Sequence, residues 1–263
     1  MLRFSDQQIR QFSDIEYERF VDDMVDHAKS IAPEAHRIVG DAEFRTLVYQ
    51  ALDDSAQHDL TLRGSLRLYL ELRLMLGHGL RDDPQTPWVL DILSRLEDTA
   101  DAEIHRAELL HMKAEQYVKH VHGPDDCHIK AALERLDAFA EAAQTRSFDG
   151  SHAEAIHYAR EIHPQKMDYI GDDAVVHLVA FARMEAQRAG LESGRTVALL
   201  TLMMMSFGHR CTTDPLYPWI GEALLMHAEQ PVEERASRFE RRAKTWLRQV
   251  RRTQMQAAEA ALL

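Results

Sequence analysis

The chain has 263 residues, 45% of them apolar and 28% charged, with a formal net charge of −12. That balance excludes a disordered chain and supplies apolar surface for one or two packed domains. It also excludes nucleic acid as a partner of the surface as a whole, and suits a basic protein partner.

Ser13-Asp14-Ile15-Glu16 reads as a capping box. It opens a helix in which Tyr17, Phe20, Val21, Met24, Ala28 and Ile31 recur at helical spacing, until Pro33 interrupts it. Asp41 is placed to cap a second helix bearing Phe44, Leu47, Val48 and Ala51. A third runs from about Arg63 to Leu76, leucine-rich nearly all round, as a central buried helix is.

Gly77 and Gly79 end that helix, and Asp83-Pro84 reads as a turn. Thr86 is placed as an N-cap before Pro87 and Trp88. A long helix from Thr99 to about His122 follows, and Gly123-Pro124 marks a module boundary. Beyond it stand a connecting helix, 131–143, and three more helices: one ending near Pro164, one over 172–189 and one over 193–207. A second Asp-Pro turn leads to a Pro218-Trp219 helix, and a long amphipathic helix fills 231–263. No Asn-Gly hairpin or sustained period-two run predicts a strand.

The chain repeats itself. Gly77-His78, Asp83-Pro84 and Pro87-Trp88 return as Gly208-His209, Asp214-Pro215 and Pro218-Trp219, an offset of 131 residues. Without a gap, Ala28, Pro33, Gly40, Leu47, Leu68 and Leu93 return as Ala159, Pro164, Gly171, Leu178, Leu199 and Leu224. This predicts an all-α fold of two tandem duplicated modules, 1–123 and 124–263, packed with pseudo-twofold symmetry. Trp88 and Trp219 are expected at equivalent, largely buried positions.

The motif has two readings. His78, Asp83, His209 and Asp214 could supply acid–base groups or metal ligands. The structural reading asks less: each residue stops a helix, turns the chain or starts the next helix, with the histidine satisfying carbonyls at the helix end.

Other residues invite chemistry. Two Glu-x-x-His pairs, Glu108/His111 and Glu154/His157, have the spacing used in di-metal bundles. Glu154 and His157 map by the repeat onto Asp23 and Asp26, so Asp23, Asp26, Glu154 and His157 form one candidate metal set, although all lie off the apolar stripes of their helices. His58-Asp59 is an HD dipeptide without its accompanying ligands. No phosphate-binding, dinucleotide-binding, nucleophile-elbow or zinc-finger motif occurs, so neither cofactor nor catalytic residue is assigned. Met203-Met204-Met205 suits either an adaptable peptide groove or a core.

Residues 231–263 hold eight basic and four acidic side chains. The simple reading is a basic helix docked on an acidic body; the sharper one is an anionic partner. Two cysteines, Cys127 and Cys211, at non-equivalent positions suit a reduced, cytoplasmic setting. The first residues lack an apolar signal core, and the run 197–207 is too short to span a bilayer.

Leu74-Met75-Leu76-Gly77, Asp82-Asp83-Pro84, Pro87-Trp88 and Ile92-Leu93, with Arg19-Phe20 upstream, resemble bacterial helical accessory proteins encoded beside contact-dependent toxin and type VI secretion effector genes. Leu80-Arg81 departs from the aromatic residue expected there. The resemblance implies no active-site residue. It implies an immunity protein that binds and neutralises a secreted toxin, by acidic side chains meeting a basic surface; no interface is assigned, and Asp22, Asp23, Asp53 and Asp54 are simply acidic residues on helices. An effector chaperone or adaptor, and a helical metal-dependent protein, are the alternatives.

Overall fold

A computed structural model of the chain describes residues 6–95, 99, 101–142, 147–225 and 230–260, with side chains from Ile15 to Gln249. The described residues form twelve α-helices and no strand, so the fold is all-α. By contacts the chain divides into two compact units, Met1–Met75 and Leu76–Leu263.

The first unit holds α1 (Asp6–Ile31), α2 (Pro33–Val39), α3 (Asp41–Ala56) and nearly all of α4 (Arg63–Leu76). The apolar stripe Val21, Met24, Val25 and Ala28 of α1 is buried, as are Phe44, Leu47, Val48 and Ala51 of α3, and the two helices pack together. The capping box at Ser13 is overturned: α1 already runs from Asp6, so Ser13 lies inside it. Asp41 caps nothing either. Gly40 precedes α3, and the Asp41 carboxylate accepts from Lys29 Nζ (2.6 Å) and pairs with His36 (2.9 Å). Nor is α4 apolar all round. Its Leu66, Leu68 and Leu74 are half-buried, whereas Arg73 is fully buried. The Arg73 guanidinium makes that tolerable by pairing with Asp54 and donating to Gln50 Oε1 (2.9 Å) on α3.

The second unit continues through α5 (Pro87–Leu93) and α6 (Ala102–Tyr117), which passes into a π-helical turn, Val118–His122. A 3-10 turn (Pro124–Asp126), α7 (Cys127–Ala142), α8 (His152–Ile162) and α9 (Pro164–Ala189) follow, then α10 (Gly194–Phe207), α11 (Pro218–Leu225) and α12 (Val232–Ala260). The core is built round α10, buried at every position from Thr196 to Met205. Helices α9, α8 and α7 pack on it, and α12 lies on α7 and α11. Ser151 caps α8 and Ser193 caps α10, each accepting a backbone N–H three residues on at 3.1 Å.

Local geometry recurs at the 131-residue offset. Helices α4 and α10 have the same length, 14 residues, at equivalent positions. Ala32 (φ −131°, ψ 56°) and His163 (φ −123°, ψ 53°) precede Pro33 and Pro164. Gly40 (φ 92°, ψ 176°) and Gly171 (φ 75°, ψ 178°) then break the chain in the same way. Asp59 and Gly190 both adopt positive φ, 52° and 66°. The Lys29–Asp41 ion pair (2.6 Å) has its counterpart in Arg160–Asp172 (2.7 Å).

Candidate functional site

Both copies of the Gly-His/Asp-Pro/Pro-Trp motif lie in the second unit, and they grip each other. One Asp83 oxygen accepts the N–H of Gln85 two residues on (2.8 Å); the other accepts the N–H of His209 (2.8 Å). Asp214 does the same, taking the N–H of Leu216 (2.9 Å) and of His78 (2.7 Å). Gly77 and Gly208 lie against each other where the two copies of the motif meet. A Cβ on Gly77 would stand 2.4 Å from the Phe207 carbonyl oxygen, and one on Gly208 2.6 Å from that of Leu76. Both have φ above 90°, so only glycine fits on either count.

Pro87 and Pro218 start α5 and α11, with Trp88 and Trp219 in the first turn. Trp88 is 9% exposed. Trp219 is only half-buried, stacked on Trp246 (centroids 5.7 Å apart). The Thr86 hydroxyl faces the Leu80 carbonyl (3.5 Å), not the helix N–H expected of a cap. The His209 ring faces Asp83 and Asp82 rather than a helix-end carbonyl, and the backbone N–H groups of both histidines are held by the aspartates.

The pair is not fully alike. The His209 ring is buried, its Nδ1 3.3 Å from Asp83 and its Nε2 3.7 Å from Asp82, and Arg210 reaches Asp82 (2.5 Å). Gly79 makes room, since a Cβ there would meet His209 Cε1 at 2.4 Å. Burial pushes the Asp83 carboxyl up, yet His209 and the backbone N–H groups of Gln85 and His209 outweigh it, and its proton affinity falls below the ordinary value.

Behind Asp83 lies a buried polar corner that sequence reasoning missed. Lys166, in the first turn of α9, donates to the Met205 carbonyl in the last turn of α10. Gln85 donates to the neighbouring Met204 carbonyl (3.0 Å) and to Asp83 (3.1 Å). The Lys166 ammonium sits 5.9 Å over the Tyr117 ring. Burial lowers its pKa to about 8, against the opposing attraction of Asp83. His163, paired with the Ser206 hydroxyl (3.1 Å), is held by burial, and then by Lys166 and Arg135, at about 3. Burial also lowers His122, although Asp126 (3.1 Å) pulls the other way. At the repeat-equivalent positions of Lys166, His163 and Gln85 the chain has Ala35, Ala32 and Leu216. That break in the repeat was the signal available in the sequence.

The chain matches no protein-family model, no curated protein and no solved structure.

The remaining sequence candidates have local partners. Asp23 accepts from Arg63 (2.8 Å), Asp26 stands 4.0 Å from Lys29, and His157 lies 3.8 Å from Glu161. Glu154 accepts the Gly150 N–H (2.9 Å) at the start of α8. His111 pairs with Glu115 on the exposed side of α6, and His58-Asp59 forms the turn after α3. Among the described residues no group of three or more His, Cys, Asp or Glu is placed to hold a metal ion. Met203, Met204 and Met205 are core residues, 1% exposed or less, so the peptide-groove reading of that run falls. The described side chains of the basic helix α12 include several tied down within its own unit; Arg251 and Arg252 lie outside the described side chains. Lys244 (2.9 Å) and Arg248 reach Glu141, Glu240 pairs with Arg195 (2.7 Å), and Arg235 caps α9 and α11 at the carbonyls of Ala189 and Leu224. No helix among the described residues is long and apolar enough to cross a membrane.

Proposed function

We propose that this chain is a non-enzymatic protein-binding protein, and specifically an immunity protein that occludes a secreted bacterial toxin in the cytoplasm. The observation that carries the reading is the use made of Asp83 and Asp214. Both oxygens of each are committed to backbone N–H groups, so the strongest acid–base candidates of the sequence serve architecture. An acidic chain complements a basic toxin surface, which speeds association and selects the partner.

The finer architecture belongs to the same proposal: two modules descended from one, related through a local pseudo-twofold axis at the motif pair. Equal helix bounds, matching backbone breaks and reciprocal Asp to N–H bonds support it. The adaptor alternative rests on the repeat as a two-sided cradle and on the methionine run, and the second of these is packed in the core.

Coexpression with the product of the adjacent gene tests the function. Rescue from a lethal neighbour, with a complex recovered by pull-down of the full chain, is the expected result. A neighbour that stays lethal and uncomplexed sinks the immunity reading. Improved solubility or export of a non-toxic neighbour would transfer the case to the chaperone.

A further inference from the structure

Three basic side chains from different segments meet at one corner of the second unit. His163 comes from the α8–α9 junction, Lys166 from the first turn of α9 and His122 from the π-helical turn. Residues 164–170 form a short helical piece bounded by two breaks: His163 before it, at φ −123° and ψ 53°, and Gly171 after it, at φ 75°. The piece is fastened to α10 by Lys166 on the Met205 carbonyl and by His163 on Ser206. Its counterpart in the first unit, Pro33–Val39, buries no residue and has Ala32 and Ala35 at those two positions.

We propose that residues 164–170 are an acid-opened lever, which swings off the end of α10 by hydrating and protonating His163. Closed, His163 holds its proton only below about 3, against an ordinary 6.5 once exposed. Between those values the open state binds the extra proton, so opening is favoured as pH falls, close to tenfold per unit. His122, lowered by burial, adds to the response just below its ordinary value. Lys166 is protonated in both states below about 8, so it sets no slope in acid. Its charge instead opposes protonation of both closed histidines. Arg135 on α7, which donates to the Ile162 carbonyl (3.3 Å), acts on His163 in the same sense. Asp83 opposes at Lys166 and Asp126 at His122; Tyr117 on α6, raised by burial, stays neutral throughout. From α10 only the Ser206 hydroxyl and the Met205 carbonyl engage the two basic groups of the lever.

Native-state hydrogen exchange on the full chain, between about pH 7.5 and 5 and corrected for the intrinsic chemical rate, tests the lever. Residues 163–170 and 203–209 should open about tenfold more for each pH unit below about 6.5, while 174–186 keep their protection. His163→Gln, which keeps a donor for Ser206, should remove most of that response and leave only the smaller share of His122. Exchange at 163–170 that does not change with pH, a whole-unit loss of protection in step with it, or an unaltered response in His163→Gln would each overturn the proposal. Should His163→Gln fail to fold, the wild type decides: exchange at 163–170 that rises as pH falls while the closed-state His163 resonance stays silent to about pH 5 supports the lever, and a titration near 6.5 in the closed protein removes it.

Discussion

Asp83 and Asp214 each close their own turn with one carboxylate oxygen and the opposite turn with the other. An asparagine in either place keeps one acceptor but turns an N–H₂ group on a backbone N–H. Each buried mismatch costs roughly 1–3 kcal/mol. Asp83→Asn should be the more damaging, because Asp83 also faces Gln85 and Lys166, where the repeat has Leu216 and Ala35. Urea denaturation of both single variants and the double checks this. Costs that simply add would contradict the reciprocal grip, and equal costs would contradict the larger share given to Asp83.

Gly77→Ala and Gly208→Ala test the same crossing from the backbone. Each places a methyl about a bond length inside a carbonyl contact and strains a positive φ. Either change should cost about 3 kcal/mol or more and lower the melting midpoint by several degrees. Gly171→Ala makes the control: its φ is also positive, but nothing stands within 4 Å of a Cβ there, so it should lose only the strain share. Thermal melts followed by circular dichroism separate the two cases.

Much of this fold is legible in the sequence, and unevenly so. The bounds of α4 at Arg63 and Leu76 can be read because apolar periodicity and a following Gly77 agree. The start of α1 cannot, because Ser13-Asp14-Ile15-Glu16 satisfies the capping pattern inside a helix as well as before one. The aspartate grip joins residues 126 and 136 positions apart, and nothing local announces such a bond. Lys166 reads as a solvent-facing lysine on composition alone, since sequence does not say which carbonyl it will reach. Only comparison with Ala35 marks its position as different.

Trp88 and Trp219 occupy equivalent places in sequence but should not weigh the same. Trp88→Ala empties a buried site and should cost about 3–5 kcal/mol. Trp219 is half-buried and leans on Trp246, so Trp219→Ala should cost clearly less and mainly disturb the Trp246 emission. A larger loss from Trp219→Ala, read by guanidinium titration, would mean that the aromatic cluster of Phe207, Tyr217 and Trp246 carries more of the unit than burial implies.

The buried ammonium of Lys166 should also leave its mark on global stability in alkali. Its folded pKa is about 8 against an ordinary 10.5, so between these values the unfolded chain binds the extra proton and stability rises with pH. The gain is about 1 kcal/mol from pH 8 to 9. Other buried groups act in the opposite sense. Cys211, Tyr117 and Tyr217 are raised by burial above their ordinary 9.0 and 10.0. Above those values the folded state keeps protons that the unfolded chain releases, and stability falls. The wild type should therefore pass through a maximum near pH 9, and Lys166→Met should show no rise before the fall. Urea midpoints taken at half-unit steps from about pH 7 to 10.5 resolve the difference. If wild type and Lys166→Met trace parallel curves, Lys166 titrates as an ordinary lysine and does not sit as a buried charge against the end of α10.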